Sequence, residues 1–550
     1  MVRLMNLNGL KRTYLLLLLL SVLCWTSAVQ ADRSGWQRQE VNWRMTGGSC
    51  IKAVHYPSGK MLPLLTKRSD YPKTAPYKKL IGPRVEHQIL LSAQEPISQI
   101  VATVIDSPPL NGFIPWIVVA VTDERLDELE LDAVPHSSVV GKFLAREPDT
   151  GYGIGIFDTG ASTNIISALD AARTGLFDYT PSLLTASSIE IFGVTGSANV
   201  WVSQPLGLFI DGLNAVEPNG LSLDHATMVG QSNVSIGVGD PIDSPNVPTA
   251  IGSPMSVFFT AVFRNDNQVT IVRDGEEFTG PEMAFYQGDE PEIPEYPNHI
   301  PLELRPSGSV AVQYFPNILD PFDPDFGAPM SPSVLTSFLP SQSLFFASSV
   351  DVTHKGKSAI DKDGFMLDTG AQISVISEAI AARLGLNPAD ADFEVEIVGI
   401  TADSIIAPGF IIDSLEITAI PDWLSFTNVP VVILDVASPE GGTNDGIIGM
   451  NLFTTFNLAL RSGGLPDFGR HRLAFEPIPP RPVGDIAPGI GDGIVDMRDV
   501  AALAEAWLAN ASSPNWNPSA DLAPQGSPDG RVDFLDFAVF AEHWLDTTAP

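Results

Sequence analysis

The tetrapeptide Asp-Thr-Gly-Ala occurs twice, beginning at Asp158 and at Asp368, and this duplication constrains the fold more than any other feature of the chain. At average residue usage a given tetrapeptide arises by chance only about 0.01 times in a chain this long. The flanks agree as well. Gly155-Ile156-Phe157 leads into the first copy and Phe365-Met366-Leu367 into the second, both apolar and strand-like. Downstream, Ile166-Ser167 matches Ile376-Ser377, and Ala171-Ala172-Arg173 matches Ala381-Ala382-Arg383. The chain therefore carries an internal repeat. Each copy continues into an apolar segment that reaches a glycine turn, Ile189 to Gly193 and Val395 to Gly399, and both read as hairpins. Near its end the second copy has Gly446-Ile447-Ile448-Gly449. The first has Ala250-Ile251-Gly252, with Ser235-Ile236-Gly237-Val238 as an alternative turn.

The length of 550 residues predicts three or four units, and 44% hydrophobic residues suffice for ordinary cores. With 46 Gly and 46 Pro, β-rich domains joined by extended linkers are expected rather than a helical bundle. The 65 acidic residues against 31 basic ones give a formal charge of −34, and no Lys/Arg cluster appears that would bind a phosphate backbone. Nucleic acid is excluded as a partner on that ground. Residues 1–31 combine Arg3, Lys11 and Arg12 with the apolar run Leu15 to Leu23 and the small-residue ending Val29-Gln30-Ala31, the pattern of a secretory signal peptide. No later stretch has the roughly 20 apolar residues of a membrane span. The expected location is secreted or at the cell surface, with Cys50 alone and no internal disulfide in the mature chain. The expected division is a signal peptide (1–31), an N-terminal region (32–131), a first lobe (132–285), a proline-rich connector (286–342), a second lobe (343–478), a proline linker (479–483) and a C-terminal module (484–550). The N-terminal region is either a removable inhibitory segment or a fixed strand layer packed on the first lobe.

A carboxylate at the end of a buried strand, followed by Thr and Gly, sits in a tight turn whose backbone N–H groups can point at it. If the two repeats pack about a pseudo-twofold axis, Asp158 and Asp368 face each other. Two touching carboxylates cannot both ionise comfortably, so they share one proton. One then acts as general base on a water while the other donates to a scissile carbonyl oxygen, with no cofactor needed. The pair resembles aspartic peptidases, and the flanks Ala381-Ala382-Arg383-Leu384-Gly385-Leu386 and Gly446 to Leu452 are similar to retropepsin-type lobes.

That resemblance implies a mainly β, two-lobed acid-protease pseudo-dimer of β-barrels acting as an endopeptidase on peptide or protein substrates. It implies that Thr159 and Thr369 cross-link the two loops and that Gly160 and Gly370 allow their approach. It also implies that hairpins at Gly193 and Gly399 are flaps pairing with an extended peptide. The chain is expected as a monomeric pseudo-dimer, with pairing of repeats between two molecules as the alternative. A catalytically inactive version serving peptide binding or surface assembly is the competing function. Gln372 follows the second motif where Ser162 follows the first.

The C-terminal module holds a second repeat, offset by 37 positions: Asp492-Gly493-Ile494-Val495-Asp496 with Asp499, and Asp529-Gly530-Arg531-Val532-Asp533 with Asp536. Each copy leads into an amphipathic helix ending at Trp507-Leu508 or Trp544-Leu545. Acids spaced around a glycine match the later part of an EF-hand-like calcium loop. The module resembles a type I dockerin, a small α-helical unit. That implies a Ca²⁺ site in each copy, with Asp485, Asp492, Asp496 and Asp499 as candidate ligands in one and Asp521, Asp529, Asp533 and Asp536 in the other. It also implies a cohesin-like scaffold partner. The usual first acid of the loop is replaced by Pro488 and Gln525, so Asp485 and Asp521 could ligate only through a longer loop. An acidic helical hairpin without metal is the alternative.

Overall fold

The computed structural model describes residues 35–40, 50–60, 64, 77–82, 100–123, 142–147, 150–193, 196–217, 222–257, 259–287, 293–306, 343–398, 404–418, 423–437, 443–461, 471–478, 482–487, 494–510, 513, 515–517, 519–523 and 529–546. The predicted signal peptide lies outside these residues. The fold is mainly β, as the composition and repeats predict.

The first repeat is organised on a nine-stranded sheet. Its centre is the strand Gly153–Phe157, buried at every position, which runs antiparallel to Trp116–Thr122 and parallel to Ala250–Ile251. Apolar side chains on both faces of these strands require cover on both sides, which is why they read as continuous hydrophobic runs rather than alternating ones. The second repeat uses the same arrangement. Phe365–Leu367 is parallel to Gly446–Ile448, which in turn is antiparallel to Ser374–Ile376. A short helix follows each motif, Ala168–Arg173 and Glu378–Leu384, started by Ser167 and Ser377, whose side chains accept the N–H groups of Asp170 and Ile380. Hairpins then rise from both repeats: Leu184–Gly193 with Gly196–Ser203, and Phe393–Val398 with Ser404–Thr418.

A third set of strands joins the two repeats. The long hairpin Phe259–Arg273 and Glu276–Gln287 leaves the first repeat, and its Ala261–Phe263 segment pairs with Leu458–Leu460 of the second. Phe456–Arg461 pairs with Arg472–Pro477, and that strand with Asn298–Pro301. One hydrophobic core runs through the junction, containing Phe157, Ile251, Phe263, Phe285, Phe345, Phe365, Ile448 and Phe475. Each such side chain contributes about 1.5–3 kcal/mol on burial, so the join is held as firmly as the interior of either repeat.

Two expected boundaries are corrected. The connector 286–342 is not free linker throughout: Asn298–Pro306 is a strand whose first part, Asn298–Pro301, pairs with Arg472–Phe475 and whose second part, Leu302–Pro306, pairs with Ser343–Ala347. Its prolines are tolerated because Pro301 and Pro306 stand at the last position of each pairing. The N-terminal region is not one unit either. Trp116–Thr122 is a central strand of the first repeat's sheet, whereas Cys50–Pro57 and Ile100–Asp106 pair with strands of the second repeat.

Candidate active site

Each Asp-Thr-Gly-Ala segment begins where a buried strand runs out. The carbonyls of Ile251 and Ile448, on the parallel neighbours, accept the N–H of Asp158 at 2.9 Å and of Asp368 at 3.1 Å. The chain then turns back on the side chain it has just passed. Asp158 Oδ1 accepts the N–H groups of Gly160 and Ala161 at 2.9 and 3.1 Å, and Asp368 Oδ1 accepts those of Gly370 and Ala371 at the same two distances. Two fixed donors per carboxyl set its orientation before any ligand arrives.

The two turns are cross-linked through their threonines. Thr159 Oγ1 donates to the Leu367 carbonyl at 2.8 Å and accepts the Thr369 N–H at 3.0 Å. Thr369 Oγ1 donates to the Phe157 carbonyl at 2.6 Å and accepts the Thr159 N–H at 3.1 Å. Both threonines are buried, so each hydroxyl spends its donor and an acceptor on the opposite repeat. The glycines between them are obligatory on grounds of space. A Cβ at Gly160 would stand 2.4 Å from Cγ of Asp368, and one at Gly370 would stand 2.5 Å from Cγ of Asp158.

The buried carboxyls of Asp158 and Asp368 lie at one junction within the one chain, each packed against the glycine of the opposite motif. Burial pushes both carboxyls above the ordinary aspartate range, and for Asp368 the negative charge of Asp158 adds to the rise. A carboxyl pair lifted in this way holds one proton between its members. The structure thus brings Asp158, Thr159, Gly160, Asp368, Thr369 and Gly370 to one place.

Gly193 ends the strand Leu184–Gly193, opposite Gly196 at the turn of the first hairpin. Gly399 lies outside the described residues. The paired turns beneath the motifs are Gly252 and Gly449, so Ile251-Gly252 and not Ser235 to Val238 is the counterpart of Ile448-Gly449. Gly237 instead pairs with Ile165 in the next strand over.

Sequence reading missed the side chains that hold those turns. Asn164 Oδ1 accepts the Gly252 N–H at 3.0 Å, while in the second repeat Ser374 Oγ accepts the Gly449 N–H at 3.1 Å and donates to Asn451 Oδ1 at 2.8 Å. Asn164 and Ser374 stand at the same distance after their aspartates, and that common register was the available signal. Gln372 was noted only as a departure from the first motif. It is buried, and its carbonyl accepts the Gly112 N–H at 2.7 Å.

The described candidate acids of the C-terminal module stand at the starts of its two helices and in the loops before them. Asp499 and Asp536 are fully buried, and each spreads both oxygens over three backbone N–H groups. Asp499 takes those of Ile486, Ala487 and Asp496 at 2.6 to 2.7 Å, and Asp536 those of Leu522, Ala523 and Asp533 at 2.5 to 2.8 Å. Asp496 and Asp533 cap the helices Met497–Glu505 and Phe534–Glu542. Asp521 accepts the Gly530 N–H at 2.8 Å. Asp492 lies outside the described residues.

Asp499 and Asp536 thus staple their loops to the helix starts, their negative charge met by N–H dipoles. Among the described residues no group of three or more His, Cys, Asp or Glu side chains is arranged to hold a metal. The two copies close on each other. Leu508 N–H donates to Val532 O and Leu545 N–H to Val495 O, at 2.8 and 3.0 Å, over a small core of Ile486, Val495, Leu503, Val532 and Phe540.

Residues 350–452 match a family model described as Aspartyl protease, and this segment has an aspartic-peptidase-like fold. No curated protein matches the chain by sequence. Among solved structures, an aspartic proteinase from Irpex lacteus is similar at 13% identity, with 66% of this chain and 97% of that one covered and a TM-score of 0.30. Conglutin gamma from lupine seeds is similar at 11% identity, with 66% and 95% covered and a TM-score of 0.28. Basic 7S globulin from soybean stands at 9% identity, 66% and 96% covered, and a TM-score of 0.26. At such TM-scores these likenesses carry no weight of their own. No described helix is long and apolar enough to cross a membrane.

Proposed function

We propose that the chain is an exported, two-lobed aspartic endopeptidase that hydrolyses peptide bonds with Asp158 and Asp368 as a shared-proton dyad. The observation that carries this reading is the convergence of two aspartates at one junction, each held by a matched pair of backbone N–H donors and packed against the other's glycine. Buried carboxyls in contact are costly for folding and useful for acid–base chemistry.

With the shared proton on Asp368, Asp158 is the base. A water between them loses a proton to Asp158 as its oxygen attacks the scissile carbonyl carbon, and Asp368 gives its proton to the carbonyl oxygen. The resulting diol collapses when Asp158 passes its proton to the leaving nitrogen, the C–N bond breaks, and Asp368 recovers a proton from a diol hydroxyl. The two N–H groups on each Oδ1 keep the outer oxygens aimed at the reacting centre throughout. An extended peptide held by the first hairpin suits this geometry. Residues 1–31 support export, and the resemblance of the C-terminal module supports attachment to a cohesin-like scaffold.

The test is cleavage of a peptide library from pH 3 to pH 7 by the mature protein beside Asp158→Asn and Asp368→Asn. Loss of cleavage in both variants, with thermal midpoints at pH 7 equal to or above that of the parent, is the expected outcome. A parent protein that cleaves nothing would replace the peptidase with a peptide-binding protein of the same fold.

A further inference from the structure

The segment that precedes the first motif is built into the surroundings of the second. Cys50–Pro57 lies between Trp36–Glu40 and Phe393–Val398, antiparallel to both. Its Ile51, Val54 and Tyr56 are buried in a cluster with Phe346, Met366, Phe393 and Val395, so its inner face packs on the strand that ends at Asp368. Ile51 N–H also reaches Gln372 Oε1 at 3.4 Å. Further along, Gly112 approaches so closely that a Cβ there would stand 2.1 Å from the Met450 carbonyl carbon, and Asn451 Nδ2 donates to the Pro109 carbonyl at 3.3 Å. Gln372, four residues after Asp368, is thus touched from both parts of the N-terminal region.

We propose that Cys50–Pro57 is a resident strand of the mature protein, which fixes the second hairpin as a rigid wall beside Asp368 and leaves the first hairpin as the one that opens. The contrast between the hairpins supports this. Leu184–Gly193 pairs only with Gly196–Ser203 among the described residues, whereas Phe393–Val398 has a neighbour on both sides.

The outer face is clamped by charge. Glu396 receives Lys52 Nζ at 2.8 Å and Arg38 Nη2 at 3.0 Å, and Lys60 Nζ meets Asp392 at 2.9 Å. His55 Nε2 stands 3.9 Å from Glu396, Arg38 is shared with Glu40, and the residue paired with Glu396 on the other side is the uncharged Ile406. Lys52 and Arg38 hold the Glu396 carboxyl down at about 2. The Glu396 carboxylate stays charged against Lys52 and Arg38 while the pH falls to 3, so acid weakens this contact without releasing the strand.

The proposal draws on the peptidase reading only for what the hairpins do. The test is hydrogen exchange of the mature protein at pH 7 and pH 3, corrected for intrinsic rates. Peptides spanning 50–57 and 393–398 are expected to stay protected at both values, with part of the protection given up together at pH 3 as the Glu396 contribution declines, and 184–193 to exchange at least 10-fold faster. Glu396→Gln is expected to speed exchange in 50–57 several-fold without change in 365–376. Loss of protection in 50–57 at pH 3 while 365–376 remains protected would overturn the proposal, as would a Glu396→Gln variant whose 50–57 segment is unaffected. Mass analysis of the acid-incubated protein gives a second reading: cleavage after Pro57 with loss of the strand from the folded product also overturns it. The exchange readouts need no peptide cleavage, so an inactive parent defeats the peptidase and leaves the resident strand standing.

Discussion

The floors of the two repeats superpose in every hydrogen bond, and their surroundings do not. Each aspartate has the same two N–H donors and each threonine the same two bonds across the junction. Away from that floor, the first repeat has the buried Asp170, held by Ser167, Thr249 and Arg173, where the second has Ile380, a member of the hydrophobic core. Among the described residues the second hairpin is flanked by the N-terminal strand and the first is not. Symmetry is retained where two halves must do one job together, and it is lost where each half faces its own neighbours.

The sharpest way to break this comparison is at the glycines. Gly160→Ala and Gly370→Ala each force a methyl into the opposite aspartate, and each is expected to cost about 3 kcal/mol, the upper part of the overpacking range, together with cleavage activity. Chemical denaturation of the two variants checks whether the costs are equal. A large inequality would mean that one turn can retreat and the other cannot.

The next effect separates the halves by pH. Burial pushes Asp211, in the first repeat's sheet, up to about 6. A raised carboxyl holds its proton more tightly in the folded state, so its contribution is full below about 4 and is lost as the pH rises through 6. Asp211→Asn should therefore remove up to about 3 kcal/mol of stability difference between pH 4 and pH 7, read from urea midpoints. Glu396 acts in the opposite sense. Its carboxyl is depressed, so its contribution is present above about 4.5 and is lost as the pH falls towards 2.

Smaller effects test the cross-link. Thr159→Val and Thr369→Val each remove a buried donor and strand a carbonyl on the other repeat, at a cost of about 1–3 kcal/mol. The double variant should cost less than the sum, because the two residues share one network. Asn164→Ala and Ser374→Ala, which loosen only the lower turns, are expected to cost about 1 kcal/mol each in the same denaturation measurement.

The motif pair was legible because its information is local: a strand, a carboxylate and a glycine turn lie within seven residues, and the repeat supplied the partner. The strand at Asn298–Pro306 was hidden by its prolines, since its pairing comes from Ser343–Ala347 and Arg472–Pro477 and leaves no periodic trace of its own. The N-terminal strands were illegible for the same reason, being completed by residues near 396 and 425. In the C-terminal module the spacing of acids around glycine suits the ligands of a cation. Aspartates at a loop end serve equally well as acceptors for backbone N–H groups, and only the path of the loop distinguishes the two.

The pairing of Cys50–Pro57 with Phe393–Val398 also sets an order of events in synthesis. Lys52 and Glu396 are separated by 344 residues. At about 5–20 residues per second, the strand waits roughly 20–70 s on the ribosome before its neighbour exists. During that interval Ile51, Val54 and Tyr56 have no core to enter, and the first aspartate has no second to share a proton with. The chemistry of the dyad is thus withheld from the nascent chain by the distance between its halves.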